Sequence, residues 1–137
     1  MKPIGLFLLL WLSLTQGALA AQVVVNDPSV AGEISQSELR AIYSMKRQFW
    51  PDGTAITVVT LAANDPLHVE FCKNQLKLLP FQLNREWDRL VFSGMGERPQ
   101  QVASAEELLE LVSRTKGAIG YLPDQMEAAG HQLNVKF

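Results

Sequence analysis

A single cysteine, Cys72, stands in the 137-residue chain, so no internal disulfide can form and the fold must hold by its core alone. The apolar neighbours of Cys72 point to a buried, inert thiol. Histidine is nearly as scarce, with only His68 and His131 present. A His68/Cys72 pair at i, i+4 supplies too few ligands for a structural zinc site, so neither a metal nor a cofactor is expected. Charged residues make up 19% of the chain, 12 basic against 14 acidic, with no long run of either sign, which argues against a nucleic-acid partner. Trp11, Trp50 and Trp87 form no periodic stripe for stacking a ligand.

Long hydrophobic runs are absent beyond the amino terminus. There Lys2 precedes an apolar stretch from Ile4 to Leu14, broken by Ser13, Thr15 and Gln16 and shorter than the roughly 20 residues of a membrane span. Gly17-Ala18-Leu19-Ala20 follows as an A-x-A cleavage signature. We therefore expect a signal peptide over residues 1–20, cleaved after Ala20, and a soluble periplasmic chain from Ala21 to Phe137 forming one domain. Catalytic patterns are missing as well. Ser93, between Phe92 and Gly94, does not match a G-x-S-x-G elbow, and the pairs Glu106/Glu107 and Asp124/Glu127 read as caps or surface charge. The chain is not expected to be an enzyme.

What is present reads as alternating strands and helices. Gln22 to Asn26, with Val23-Val24-Val25, is a short strand buried on both faces. Ser35 and Glu38 form a capping box ahead of Leu39, Ile42 and Tyr43 at helical spacing. Trp50-Pro51-Asp52-Gly53 is a tight turn leading into a β-branched strand, Ile56 to Leu61. A helix capped by Asn64 or Asp65, with Pro66 in its first turn, is expected to run to about Leu78. Leu83, Trp87, Leu90 and Val91 share the face of another helix that stops at Gly94. Ser104 and Glu107 form a second capping box, and Ala118 to Leu122 is a third strand. Leu133, Val135 and Phe137 alternate with polar residues, as a half-exposed edge strand does.

Such alternation implies βαβ units, a mainly parallel sheet and helices on both faces, in an α/β domain of three layers. Ligands of open sheets bind outside the carboxyl ends of the strands. That rule nominates Asn26 and Asp27, Ala62 to Asp65, and Leu122 to Asp124, with the loop around Ser93 and Gly94 approaching the same edge. His68 lies in the middle of its helix's apolar arc. It is either a histidine at the helix edge with a backbone partner or a ligand donor. The candidate binding residues are thus Asn26, Asn64, Asp65, His68, Ser93 and Gly94. Lys46 and Arg47 are either a solvated turn or a source of positive charge over the cleft.

Two stretches carry a family resemblance. The helix and turn from Ser35 through Leu39, Ile42, Tyr43 and Lys46 to Trp50-Pro51-Asp52-Gly53, followed later by Gly117-Ala118-Ile119-Gly120-Tyr121, resemble the periplasmic phosphate-binding proteins of ABC transporters. The resemblance extends over roughly Val23 to Leu122 and is nearest to short exported members. It implies a single lobe of a type II periplasmic binding protein, with the edge strand at the carboxyl terminus. In that family an Arg-Ser-x-Gly-Ser-Gly-Thr type loop grips phosphate. Here Thr60-Leu61-Ala62-Ala63-Asn64-Asp65-Pro66-Leu67-His68 stands instead, without arginine, serine or glycine, and Asp65 adds negative charge. Two functions follow from the resemblance. One is a minimal module that binds a small anion or polar solute and presents it to a membrane transporter or sensor, closing its cleft as a homodimer. The other is a ligand-free interaction module for an envelope protein.

Overall fold

The computed structural model describes residues 19–137, so nearly all of the expected signal peptide lies outside the described residues. In chain order the elements are β1 (Ala21–Val25), α1 (Pro28–Ala31), β2 (Ile34–Ser35), α2 (Gln36–Tyr43), β3 (Thr57–Thr60) and α3 (Pro66–Phe71). A π-helical turn (Cys72–Leu76) continues α3, and α4 (Pro80–Phe92), β4 (Gln100–Gln101), α5 (Ala105–Arg114), β5 (Ala118–Pro123), β6 (Gln132–Leu133) and β7 (Val135–Lys136) complete the chain. Among the described residues no helix is long and apolar enough to cross a membrane.

Local signals in the sequence are used where they were expected. Ser35 Oγ accepts the Glu38 N–H at 3.2 Å and the Glu38 carboxylate accepts the Ser35 N–H at 2.8 Å, closing the box at the start of α2. At α5 the box is displaced by one residue. Ser104 Oγ accepts the Glu107 N–H, but the Glu107 carboxylate takes the N–H of Ala103. The helix expected to continue evenly to Leu78 instead widens at Cys72 and ends at Lys77, whose φ of 56° is left-handed. Cys72 and Leu76 are both buried by this wider turn, and the Leu78 N–H closes its end on the Cys72 carbonyl at 3.0 Å.

The five-stranded sheet has the order β4-β3-β5-β1-β6. β3 is parallel to β4 and β5, while β1 is antiparallel to both β5 and β6, so four strands point one way and β1 alone is reversed. The α/β fold with a mainly parallel sheet is therefore present, with one correction. β1 does not belong to a parallel βαβ unit with its sheet neighbours. Both of those neighbours come from the far end of the chain, and no direct crossover sets its direction. The carboxyl-terminal strand is also split: β6 pairs with β1 at the sheet edge, and β7 leaves to pair in parallel with β2. Phe137 remains exposed beyond it.

Helices cover both faces. On one, α5 approaches β5 so closely that a Cβ on Gly120 would fall 2.4 Å from Leu108 Cδ2, which leaves glycine as the residue that fits. On the other, Tyr121 of β5 stacks on Phe71 with ring centroids 4.1 Å apart, and Tyr43 of α2 meets Phe71 edge-on at 4.9 Å. Val23, Val24 and Val25 of β1 are buried between the two layers, as a strand covered on both faces requires.

Candidate functional site

The reversal of β1 separates residues that the sequence placed together. Val25 at the end of β1 sits beside Ile119 near the start of β5, whereas Ala21 sits beside Pro123 at its end. Asn26 and Asp27 therefore lie at the amino edge of the sheet, and the loop after β3 lies at the carboxyl edge. Asn26 is no part of a carboxyl-edge site. Its amide donates to the carbonyls of Val112 and Ser113, both at 3.0 Å, closing the carboxyl end of α5. Asp27 caps α1 by accepting from Ser29 N at 2.9 Å.

At the carboxyl edge, β3 delivers Thr60 and α3 delivers His68, which is 1% exposed. His68 Nδ1 lies 2.5 Å from Tyr121 Oη and 3.1 Å from Thr60 Oγ1, and its Nε2 lies 3.4 Å from Cys72 Sγ. Tyr121 Oη also accepts the Leu61 N–H at 2.9 Å. These partners assign the protons: the phenol donates to Nδ1, and Nε2 keeps its hydrogen and donates it to the thiol. Burial pushes the His68 pKa down, opposed weakly by Asp65, so the ring is neutral. The same desolvation pushes the Cys72 thiol up to about 12 and raises the Tyr121 phenol, leaving both protonated. His68 is thus a core histidine as well as a cavity wall, not a helix-edge residue, and its partners are the side chains of Thr60, Tyr121 and Cys72 rather than backbone.

In front of this network lies a cavity of about 50 Å3 whose lining includes Thr60, Ala63, His68, Asn84, Trp87, Arg98 and Gln101. Trp87 is anchored by its indole N–H, which donates to the Tyr43 carbonyl at 2.7 Å. The Arg98 guanidinium lies over the Trp87 ring, 5.9 Å from its centroid, and pairs with Asp88 on the same helix. Arg98 reaches this place because β4 pairs with β3, Gln101 opposite Thr60.

Of the residues nominated from sequence, His68 and Ala63 line this cavity. Asp65 is the cap of α3, accepting the Leu67 N–H at 2.9 Å, and Asn64 beside it is exposed. Ser93 and Gly94 form the carboxyl cap of α4, with Ser93 Oγ donating to the Leu90 carbonyl at 3.0 Å. Arg47 is committed to Glu38 at 3.2 Å and Lys46 is exposed, so neither covers the cavity. Asn84, Arg98 and Gln101 were missed. Asn84 looked like one more polar helix position, and β4 is only two residues long and polar, too short for any periodicity to mark the strand that delivers Arg98. Among the described residues no group of three or more histidine, cysteine or acidic side chains is arranged to hold a metal ion.

No family model matches the chain, and no curated protein matches it in sequence. Solved structures do match it. A provisionally assigned phosphate ABC transporter substrate-binding protein with bound phosphate, from Clostridium perfringens, is 14% identical, with a TM-score of 0.63 over 85% of this chain and 45% of that one. An ABC-type phosphate transport receptor from Vibrio cholerae is 15% identical, with a TM-score of 0.60 over 85% and 46%. PstS from Borrelia burgdorferi is 14% identical, with a TM-score of 0.61 over 87% and 49%. The chain spans about half the length of the structures it matches. At such identity the likeness is one of fold, and the chain therefore shares the periplasmic-binding-protein fold of these phosphate-transport proteins across most of its length.

Proposed function

We propose that the protein is an exported, non-enzymatic solute-binding module, one domain from Ala21 to Phe137, which takes a small anion at the carboxyl edge of its sheet and presents it to a membrane transporter or sensor in the periplasm. The observation that supports this most directly is the cavity bearing Arg98, Asn84 and Gln101 in front of the Thr60–His68–Tyr121 network. A cation with planar donors and neighbouring amides is a donor set suited to an oxyanion, with the neutral His68 ring, its one N–H already given to Cys72, forming the wall behind them. The volume, about 50 Å3, has room for an ion or a few waters rather than a sugar or peptide. Phosphate is a weaker expectation than a generic small anion, because Ala62 to Asp65 lacks the hydroxyls and arginine of the family's loop. Asp88 also already neutralises part of the Arg98 charge. The edge is open to water, so affinity is modest unless a second copy closes over it.

Thermal melts of the purified protein with phosphate, sulfate, molybdate and small carboxylates at millimolar concentration test the reading. Ligand at about 100 times its dissociation constant stabilises by about 2.7 kcal/mol, a shift on the order of 10 °C. A shift with one anion that is lost in Arg98→Ala and Asn84→Ala supports the site. Flat melts across the panel overturn it.

One observation favours a second reading, a ligand-free module that binds an envelope protein. At the end of α4 Phe92 is 89% exposed, and Val91 and Met95 are exposed beside it in sequence. Large apolar side chains gathered in this way are a common mark of protein contacts. Flat melts together with partner capture that is lost in Phe92→Ser decide for this reading.

A further inference from the structure

A second cavity, of about 250 Å3, opens at the amino edge of the sheet, at the end of β5 opposite the carboxyl-edge cavity. Its floor is apolar and buried: Val25 from β1, Ala118 from β5 and the indole of Trp50, with the half-buried Val30 of α1 as a side wall. Its rim carries one side chain of each charge, Lys116 and Asp27. We propose that this cavity is a binding site for a small zwitterion with an apolar body, the chemical class of the apolar α-amino acids.

The floor selects the body. Val25, Ala118 and Trp50 are each 3% exposed or less, so the floor offers only a narrow apolar patch, widened by the half-buried Val30, and a small aliphatic or aromatic group is stabilised in proportion to that patch. The rim selects the head group. Lys116 is exposed and makes no close ion pair among the described residues, with Asp52 attracting it only at longer range, so its ammonium is available to a carboxylate. Asp27 accepts the N–H and O–H of Ser29 on Oδ1, which leaves Oδ2 for a ligand ammonium. A simple carboxylate leaves Asp27 facing an anion and a simple amine leaves Lys116 facing a cation, whereas a zwitterion answers both.

The walls are held before any ligand arrives. The Trp50 indole N–H donates to the Gly117 carbonyl at 2.9 Å, fixing the ring against β5. Gly117 has φ +79°, and a Cβ there would fall 2.2 Å from the Ala55 carbonyl oxygen, so the strand entry and the turn through Asp52 are pressed together at this wall. A cavity with a rigid apolar floor loses little entropy on binding. None of its residues lines the carboxyl-edge cavity, and the two sites stand or fall separately.

The test is an amide NMR titration of the purified protein with leucine and with phenylalanine. Each is compared with its deaminated acid, 4-methylpentanoate or 3-phenylpropanoate, and with its decarboxylated amine. We expect saturable shifts at Val25, Val30, Gly117, Ala118 and the Trp50 indole N–H, with the single-charge analogues weaker by about tenfold or more. Val30→Phe, which fills the cavity from its wall, abolishes saturation. Lys116→Ala, at an exposed position that the core does not need, weakens the amino acids by about tenfold. Arg98→Ala leaves them unchanged. The inference is overturned by an absence of saturable shifts at these amides, by equal affinity in Val30→Phe, or by a deaminated acid that binds as tightly as its parent amino acid.

Discussion

The two edges of the sheet are built from opposite materials. At the amino edge, side chains are pinned to distant backbone: the Trp50 indole donates to the Gly117 carbonyl, and the Asn26 amide donates to the Val112 and Ser113 carbonyls. At the carboxyl edge, side chains satisfy one another, with Tyr121, His68, Thr60 and Cys72 joined in one buried polar cluster. The first arrangement fixes where the chain runs and leaves an apolar hollow. The second places titratable groups against a small polar cavity. It follows that substitutions at the amino edge act through backbone position, whereas those at the carboxyl edge act through stranded polar atoms and charge.

The sharpest break of this contrast is Gly117→Val. The left-handed φ and the Ala55 carbonyl at 2.2 Å from the added Cβ forbid the side chain without backbone movement, and we expect a loss of about 3 kcal/mol or more in urea unfolding. Tyr121→Phe is the carboxyl-edge counterpart. It keeps the stacking on Phe71 but strands the Leu61 N–H and the His68 ring, for a loss of about 2 kcal/mol in the same measurement. Asn26→Ala should cost about 1 kcal/mol, because the last carbonyls of α5 lie near solvent and water replaces part of what is lost.

Acid separates the edges without mutation. The folded-state pKa of His68 is lowered by burial, so between that value and the ordinary 6.5 the unfolded chain binds the extra proton. Stability is therefore full above about pH 6.5 and declines as pH falls below it, until the folded-state pKa is passed. The capping carboxylates Asp27, Glu38 and Asp52 are instead held low by hydrogen bonds from Ser29, Ser35 and Thr54 respectively, and their contribution is lost only at more acid pH. Melting temperatures measured from pH 7.5 to 5 should fall in the native protein and flatten in His68→Gln. An unchanged slope in that variant would place the titrating group elsewhere. The smallest expected effect is Arg98→Ala, about 0.5 kcal/mol or less, since its ion pair with Asp88 is half exposed. It should nevertheless remove any anion-induced stabilisation, which separates binding from folding at that position.

The elements whose signals are local were legible in the sequence. Ser35 and Glu38 announce α2, Trp50 to Gly53 announce a turn, and Val23 to Val25 announce a strand covered on both faces, because caps, turns and burial patterns operate within a few residues. The candidate site was legible only at His68 and at Ala63 in the loop before it. Asn26 was misplaced because nothing along the chain states the direction of β1, which depends on pairing with β5 almost a hundred positions later. Asn84, Arg98 and Gln101 were overlooked because a helix position without a partner and a two-residue strand carry no periodic signal.

By itself the sequence determined the α/β class, the exclusion of an internal disulfide, the caps, and the strand from Ala118 to Leu122. These follow from composition and from interactions between near neighbours. Only the tertiary structure decided which loops share an edge, that His68 answers to Tyr121 and Thr60, and that each edge carries a cavity of its own. Those are consequences of strand order and strand direction, and they are settled by contacts whose partners lie far apart in the chain.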